Sequence, residues 1–331
     1  EYAIDAVESG WISSQGSYVD KASNSLKDIA KCRYVTLTNS GTSATHLLYR
    51  ALKYKIPKLK NILVPSNVYV AAWNAMLFDG DDINLIPVPT WNINIADLLA
   101  TAKKWHDPQD TAILIVHNLG GIVNVPKIQR IIPEYQIIED NCEGFLGEYE
   151  GHLSGTKSLG SSVSFYGNKT LTCGEGGAVL LNDEELYELT MKIRGQGQTK
   201  TRYLHDILGH NYRMTNVQAA ILYGQIEDHQ EIIDKKRRIF NTYRKLLDHE
   251  KIKFQKQEAD CKNSNWIFAI RVVGSSGFDC ISEFLLGAGI ETRNMFFPMS
   301  SHKHLQKFAT PDGELVDDLL RKEIVMLPSS P

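Results

Sequence analysis

Short apolar runs alternate with longer stretches of mixed polarity between residues 39 and 182. The runs are rich in β-branched residues and bounded by Pro, Asn, Asp or Gly, which is typical of buried strands. They lie at 62–64, 83–88, 112–116, 136–138, 162–165 and 178–181. Several of the segments between them are long enough for a crossover helix. The pattern therefore predicts an α/β fold with a mainly parallel sheet covered on both faces.

A helical pattern follows over residues 216–249, with Val217, Ala220, Ile221 and Ile226 spaced for one face. We interpret it as the connection to a smaller α+β region, in which 266–273 is predicted to be a strand and 281–286 a helix. A chain of 331 residues is long enough for two domains. We expect a large domain at 1–230 and a small C-terminal domain at 231–331.

Charge and cysteine content exclude several classes of function. The 36 basic and 39 acidic residues give a net charge of −3, so we expect neither nucleic acid nor an anionic membrane as partner. The five cysteines are scattered and form no C-x-x-C pair, which argues against a disulfide framework or a zinc site and favours the cytoplasm. No apolar run is long enough to span a membrane. Because the chain begins with Glu1 instead of Met, we expect it to be part of a longer protein.

Residues 39–45 are predicted to join a strand to a helix. Gly41, Thr42 and Ser43 would lie in the first helical turn, where free N–H groups and the helix dipole favour an anion. Taken alone, the segment favours an ordinary helix cap, with Gly41 permitting the turn.

Two further segments carry groups that are able to do chemistry. Asp140 ends a predicted strand, where open α/β sheets bind ligands, although an aspartate there is often only a cap. Lys169 follows the strand at 162–165 and precedes the glycines at 174, 176 and 177, which permit close approach of a flat ligand. Most lysines are solvated surface residues, but an uncharged lysine amine is a nucleophile towards a carbonyl group. An anion-binding helix start, an acidic strand end and a lysine, in this order, are what pyridoxal 5′-phosphate requires.

Several other motifs accompany these three segments along nearly the whole chain. They are Gly-Trp-Ile-Ser-Ser-Gln-Gly at 10–16, Val-Pro-Ser-Asn-Val-Tyr-Val-Ala at 64–71, Asn-Tyr-Arg-Met-Thr-Asn at 211–216 and Gly-Ile-Glu-Thr-Arg at 289–293. With them, the chain resembles the DegT/DnrJ/EryC1/StrS family of sugar-nucleotide aminotransferases. The resemblance implies the fold-type I architecture of pyridoxal-phosphate-dependent aminotransferases, with a large mainly parallel sheet domain and a smaller α+β domain.

The same resemblance implies a role for each matching residue. Lys169 would bind the cofactor covalently and later move protons, and Asp140 would pair with its pyridinium nitrogen. Tyr69 matches an aromatic residue that lies against the cofactor ring, although it is as easily explained by core packing. The groups that would hold the cofactor phosphate lie at the helix start and on the following strands: Gly41, Thr42, Ser43 and Ser164. Asn211 matches a residue that reaches the phosphate in the neighbouring subunit, so a homodimer with shared active sites is implied.

The chain departs from the commonest family pattern at two places. Glu143 stands where many members have Gln near the phenolic oxygen of the cofactor. A carboxylate facing a phenolate is disfavoured, so we hypothesise that the pKa of Glu143 is raised; the alternative is that Glu143 points to the substrate. The second departure is His-Asn-Leu-Gly at 117–120, where the family often has Leu-Tyr after the histidine.

The motifs are most similar to those of the GDP-perosamine synthase group of this family. That similarity implies transfer of an amino group from L-glutamate to a nucleotide-linked 4-keto-6-deoxyhexose, giving a 4-amino-4,6-dideoxyhexose for glycan biosynthesis. Some relatives carry His at the lysine position and dehydrate sugars, so Lys169 favours amination. Arg213 and Arg293 are candidates for binding the nucleotide diphosphate, and both are as easily structural salt-bridge residues.

The sequence is also compatible with other functions. The motifs for the cofactor do not distinguish a 4-keto-sugar aminotransferase from a 3-keto-sugar aminotransferase, and they do not identify the nucleotide. A protein that binds the cofactor without catalysis, as a sensor or scaffold, is a further alternative, although it would not need the lysine and the aspartate together. A dehydrogenase is disfavoured because no G-x-G-x-x-G follows a strand.

Overall fold

A seven-stranded sheet forms the centre of residues 1–230. The structure is a computed structural model that describes residues 1–80, 82–86, 88, 91–104, 107–309 and 319–330. Its first nine strands are β1 (Tyr34–Thr38), β2 (Asn61–Pro65), β3 (Asp82–Ile86), β4 (Thr111–Val116), β5 (Gln136–Asp140), β6 (Glu148–Tyr149), β7 (His152–Leu153), β8 (Gly160–Ser164) and β9 (Gly177–Leu181). In the large sheet the strand order is β1-β9-β8-β5-β4-β2-β3.

Most neighbouring strands of this sheet are parallel. The pairs β2–β3, β2–β4, β4–β5 and β5–β8 are parallel, whereas β1–β9 and β8–β9 are antiparallel. The prediction of a mainly parallel sheet is therefore confirmed. The strand predicted at 83–88 ends at Ile86, and Pro87 lies outside the described residues.

Helices cover both faces of the large sheet. In chain order, the α-helices of the described residues are α1 (Tyr2–Glu8), α2 (Ser17–Ala30), α3 (Gly41–Lys55), α4 (Val70–Leu77), α5 (Ile95–Lys104), α6 (Val125–Ile131), α7 (Glu184–Arg194), α8 (Asn216–Glu227), α9 (His229–Leu246) and α10 (Phe278–Gly287). The last two, α9 and α10, pack against residues beyond 250 instead of the large sheet. On β4, Leu114 packs with residues of α3 and α4, whereas Ile113 and Ile115 pack with residues of α5 and α6. Because successive side chains of a strand point to opposite faces, burial on both faces requires the nearly continuous apolar sequence of β4.

The helical pattern at 216–249 forms two helices instead of one. Thr215 and Gln218 form a reciprocal cap at the start of α8, and the break falls at Asp228, whose φ of −90° and ψ of 6° are not helical. Helix α8 buries residues on much of its circumference, whereas α9 buries only Lys236 and Phe240. The buried faces of α8 and α9 therefore point in different directions, and a single straight helix could not bury both.

A second, antiparallel sheet is built from residues beyond 250. Its strands are β10 (Ile252–Phe254), β12 (Ala269–Val272), β13 (Arg293–Asn294) and β14 (Ile324–Met326), in the order β10-β12-β14-β13. Strand β11 (Cys261–Lys262) belongs to a separate three-stranded sheet in the order β11-β6-β7, where it pairs with β6 and so connects the C-terminal part of the chain to residues 148–149. The predicted strand at 266–273 begins only at Ala269, so Trp266 lies in the segment before it. The domain boundary near residue 230 stays a prediction.

Among the described residues, no helix combines the length and the apolar character that a membrane crossing requires.

Candidate active site

A cavity that bears reactive side chains opens at the carboxyl ends of the central parallel strands. It has a volume of about 600 Å³ and lies between the start of α3, the ends of β5 and β8, and residues of the second sheet. This is the edge at which open α/β sheets bind ligands, because loops and helix N-termini converge there. Its lining includes Ser40, Gly41, Thr42, Thr45, Tyr69, Asp140, Cys142, Glu143, Ser164, Asn168, Lys169, Trp266 and Arg293.

The start of α3 forms one end of the cavity. Ser40 is the N-cap, and its Oγ accepts a hydrogen bond from the Ser43 N–H at 3.0 Å. A Cβ on Gly41 would lie 2.6 Å from Cβ of Ser164, so only glycine lets the helix start approach the end of β8 this closely. Helix α3 therefore has an ordinary cap and also presents its N-terminal turn to the cavity, where an anion is favoured. Ser43 does not line the cavity, because its hydroxyl accepts from Ser40 Oγ at 2.9 Å.

The ends of β5 and β8 contribute polar side chains to the same end. Asp140 and Ser164 are the last residues of their strands, and both are buried. Asp140 Oδ1 accepts from the Cys142 N–H at 3.0 Å, and Ser164 Oγ accepts from the Tyr166 N–H at 3.3 Å. Each side chain thus stabilises the turn that follows its strand and is held in a fixed position towards the cavity.

Lys169 lies in the cavity between a carboxylate and an aromatic ring. Its Nζ is 3.6 Å from Glu143 Oε1 and 3.7 Å from the centre of the Trp266 ring. The lysine is held locally by a turn in which its N–H donates to the Tyr166 carbonyl at 2.9 Å. It is therefore not a solvated surface lysine, and the structure brings it into one cavity with Asp140.

Burial raises the pKa of Glu143 above its ordinary value, and the nearby charge of Asp140 adds to this effect. The ammonium of Lys169 and the Leu119 N–H, which donates to Glu143 Oε2 at 2.7 Å, act in the opposite direction. The net direction agrees with the hypothesis of a raised pKa. Leu119 has a φ of 52°, so the His-Asn-Leu-Gly segment contacts the site through an unusual backbone conformation.

A neighbouring thiol does not act as a nucleophile. Burial raises the pKa of Cys142 well above its ordinary range, and the negative charge of Asp140 raises it further. Since the thiolate is the reactive form of cysteine, Cys142 stays protonated and inert at neutral pH.

The remaining predicted site residues divide into two groups. Arg293 lines the cavity, and so does Tyr69, which is 57% exposed and faces the Phe296 ring at 5.6 Å. Core packing therefore does not explain Tyr69. Asn211 and Arg213 do not line the cavity: Asn211 pairs with Gly195 in an isolated bridge, and Arg213 Nε donates to Ser14 Oγ at 3.1 Å.

Trp266 and Phe296 are cavity residues that the sequence does not reveal. Both come from the C-terminal part of the chain, more than 90 residues beyond Lys169, and reach the cavity only through the packing of the second sheet. Each lies in an apolar run that is equally typical of a core strand. No local pattern distinguishes these side chains from core residues.

A buried polar network lies behind the cavity on the other face of β5. Glu139 accepts hydrogen bonds from His117 Nε2 at 2.8 Å, the Tyr149 hydroxyl at 3.1 Å and the Gly155 N–H at 3.0 Å. His117 Nδ1 accepts from the Val123 N–H at 3.2 Å, which assigns the ring proton to Nε2. The network fixes the end of β5, next to Asp140, and the start of the segment that contains Leu119.

The residues present fit pyridoxal phosphate. The start of α3 and Ser164 suit the phosphate, the Asp140 carboxylate suits a protonated ring nitrogen, and the Lys169 amine suits the aldehyde. Within the described ranges, no cluster of three or more His, Cys, Asp or Glu side chains is placed to hold a metal ion.

Comparisons with known proteins agree with this geometry. Residues 1–331 match the model of the DegT/DnrJ/EryC1/StrS aminotransferase family. The GDP-perosamine synthase of Escherichia coli O157:H7 is 33% identical to this chain over 304 residues, which are 90% of this chain and 82% of that protein.

Two solved structures are similar in fold. A DegT DnrJ EryC1 StrS aminotransferase from Brucella abortus has a TM-score of 0.89 at 22% identity, covering 100% of this chain and 89% of that one. The Escherichia coli GDP-4-keto-6-deoxy-D-mannose-3-dehydratase, solved with bound hydrated pyridoxal phosphate, has a TM-score of 0.89 at 22% identity, covering 99% and 91%. The predicted fold is therefore confirmed.

Replacing Glu143 by glutamine tests the electrostatics of the site in the chain without cofactor. A raised pKa means that folding favours the protonated carboxyl, so the stability contributed by this group is complete below pH 4.5 and is lost as the pH rises through the raised pKa. Glutamine does not ionise. Urea unfolding between about pH 4 and pH 8 should therefore show the variant gaining stability relative to the parent chain as the pH rises.

Glu175→Gln is the matched control, because Glu175 lines the same cavity but is exposed. The difference in stability between this variant and the parent chain should change little with pH. A Glu143→Gln variant that loses stability relative to the parent as the pH rises would contradict the account, since attraction to Lys169 would then outweigh burial.

Proposed function

The chain belongs to the DegT/DnrJ/EryC1/StrS aminotransferase family, and we propose that it transfers the amino group of L-glutamate to C4 of a nucleotide-linked 4-keto-6-deoxyhexose. As a member it is a sugar aminotransferase that uses pyridoxal phosphate, as the sequence predicts. The observation that carries the proposal is that Lys169, Asp140 and the start of α3 line one cavity. The choice of C4 is supported by the 33% identity to a GDP-perosamine synthase.

When bound, pyridoxal phosphate supplies an electron sink that stabilises negative charge on the carbon being deprotonated. The side chains of this chain then have three tasks. Asp140 holds the proton on the ring nitrogen, because its negative charge favours the cationic form. Gly41, Thr42 and Ser164 would hold and orient the phosphate, and Lys169 Nζ would be the point of covalent attachment.

Lys169 would have a second task while its amine is not bonded to the cofactor. Its Nζ would move the proton from the α-carbon of glutamate to C4′ of the cofactor in the first half-reaction, and from C4′ to C4 of the sugar in the second. Glu143, 3.6 Å away, lies near enough to stabilise the protonated amine between these steps. The same lysine can thus serve as base and as acid without leaving the cavity.

Arg293 is the favoured side chain for binding the nucleotide diphosphate. It belongs to β13, lines the cavity and is exposed, so that its guanidinium is accessible to a ligand. A guanidinium binds phosphate oxygens through paired hydrogen bonds. Arg213 is disfavoured for this role within one chain, because its Nε is bonded to Ser14 outside the cavity.

The two half-reactions provide the test of this function. Glutamate alone should bleach the absorbance band of the lysine-bound cofactor, and a 4-keto-6-deoxyhexose nucleotide should restore it. NMR of the product should show the nitrogen on C4. Lys169→Ala should lower multiple turnover by at least about 10³-fold, because both the covalent attachment and the proton transfer are lost.

Lys157→Ala is the control for this substitution, since Lys157 lies outside the cavity and should leave turnover unchanged. Normal multiple turnover by Lys169→Ala would refute the assigned role. A product aminated at C3 would refute the choice of carbon and leave the chemistry of the lysine intact.

We further propose that the enzyme is a cytoplasmic homodimer in which Asn211 completes the site of the neighbouring subunit. Its five cysteines are unpaired, which fits a reducing compartment. Large apolar side chains are exposed on the segment before Asn211, namely Tyr203, Leu204 and Leu208. Exposed apolar clusters of this kind are typical of a subunit interface.

Mixing two defective variants tests the shared site. Asn211→Leu should weaken phosphate binding in the partner's site. Activity is therefore assayed at a cofactor concentration at which most sites of this variant hold no cofactor. When the Asn211→Leu and Lys169→Ala chains pair at random in equal amounts, about half of the dimers contain one chain of each kind. Each mixed dimer has one intact site out of two, so about a quarter of all sites in the mixture should be active. The control is a mixture of Asp140→Ala and Lys169→Ala, whose defects lie in the same chain's site and which should recover nothing. Equal failure of both mixtures would argue against the shared site.

A further inference from the structure

Trp266 lies directly against the reactive amine, although it belongs to the C-terminal part of the chain. Its ring centre is 3.7 Å from Lys169 Nζ, and the side chain is only 5% exposed. The indole N–H donates to the Asn168 carbonyl at 2.9 Å. The residue before the lysine therefore fixes the orientation of the indole, and the face of the ring covers the amine.

The backbone of Trp266 is fixed as firmly as its ring. Lys236, which is 4% exposed, donates from Nζ to the Trp266 carbonyl at 2.8 Å and to the Ser329 carbonyl at 3.2 Å. On the other side, a Cβ on Gly120 would lie 3.1 Å from the Trp266 nitrogen, and the φ of +83° at Gly120 also favours glycine. Helix α9 and the 117–120 segment thus hold Trp266 from two directions.

The indole and Glu143 lie within contact distance of the same nitrogen atom. Glu143 Oε1 is 3.6 Å from Lys169 Nζ, about the same distance as the ring centre of Trp266. The carboxylate attracts a cation by its charge, and the face of an indole attracts it by the negative potential of its π-system. Both groups are buried, so water weakens these attractions less than it would at the surface.

We propose that Trp266 is a positioning residue for the reaction: with Glu143 it forms a seat that holds the Lys169 ammonium whenever the amine is not bonded to the cofactor. The seat keeps the freed lysine beside the reacting carbon between the two proton transfers and prevents its release into solvent. Because Lys236 is bonded to the Trp266 carbonyl and Gly120 packs closely against the Trp266 nitrogen, a displacement of α9 or of the 117–120 segment would move the seat. This inference rests on the proposed role of Lys169.

The test is the reactivity of Lys169 in the full chain without cofactor. Trace labelling with acetic anhydride at pH 8, followed by peptide mass spectrometry, gives the rate at Lys169 relative to that at Lys157. Acetic anhydride reacts with the neutral amine, so a seat that stabilises the ammonium slows the reaction. Trp266→Phe keeps an aromatic ring but has a weaker cation–π interaction, and it should raise the relative labelling of Lys169 by about 3-fold.

Trp73→Phe is the matched control. Trp73 is also buried and also donates its indole N–H to a carbonyl, that of Pro65 at 3.0 Å, but it lies outside the cavity. Its replacement should leave the labelling of Lys169 unchanged, even if the variant is less stable.

Fluorinated tryptophan separates an electrostatic role from a structural one. Biosynthetic incorporation of mono-, di- and trifluorinated tryptophan withdraws electron density from the ring with little change in shape. In the parent chain, the labelling of Lys169 should rise stepwise with each added fluorine. In Trp266→Phe, the labelling of Lys169 should not change with fluorination. Labelling that is independent of fluorination, or that responds equally in both chains, would overturn the proposal. Neither result depends on the sugar substrate, so failure here is distinct from failure of the proposed function.

Discussion

The ammonium group of Lys169 is largely buried, and a buried charge is unfavourable unless opposite charge or polarisable groups surround it. Glu143 and the face of Trp266 provide this environment, but Glu143 is itself buried and lies near the charge of Asp140. The three ionisable groups therefore depend on one another. Removing the amine would leave two carboxylates close together, and removing Glu143 would leave the amine with only the indole.

The positions of these groups depend on the strand ends. Strand β5 directs Asp140 to the cavity and Glu139 to the opposite face, where His117, Tyr149 and Gly155 satisfy the buried carboxylate. A fully bonded network of this kind is rigid, since any displacement would leave a buried polar group unpaired. The network and the close contact between Gly41 and Ser164 keep the ends of the cavity in place. Each includes one residue of a parallel strand, Glu139 of β5 and Ser164 of β8.

The sequence predicts those features that depend on local patterns. The strands of the large sheet follow from short β-branched runs, and the start of α3 follows from its small polar residues. Lys169 and Asp140 are recognised because motifs along the chain match a family in order. The break at Asp228 is missed because the apolar spacing continues through it, while the direction of burial changes only in three dimensions. Trp266 is missed because its contact with Lys169 spans nearly 100 residues, and Asn211 remains untested by a single chain.

We propose that Lys169 is the residue that joins the cofactor. The most direct measurement is borohydride reduction of the protein with bound pyridoxal phosphate, followed by peptide mapping by mass spectrometry. Reduction makes the bond between the amine and the cofactor permanent. We expect one phosphopyridoxyl group per chain, on the peptide that contains Lys169. A modification found mainly on another lysine, or absent from protein that retains its cofactor, would contradict it.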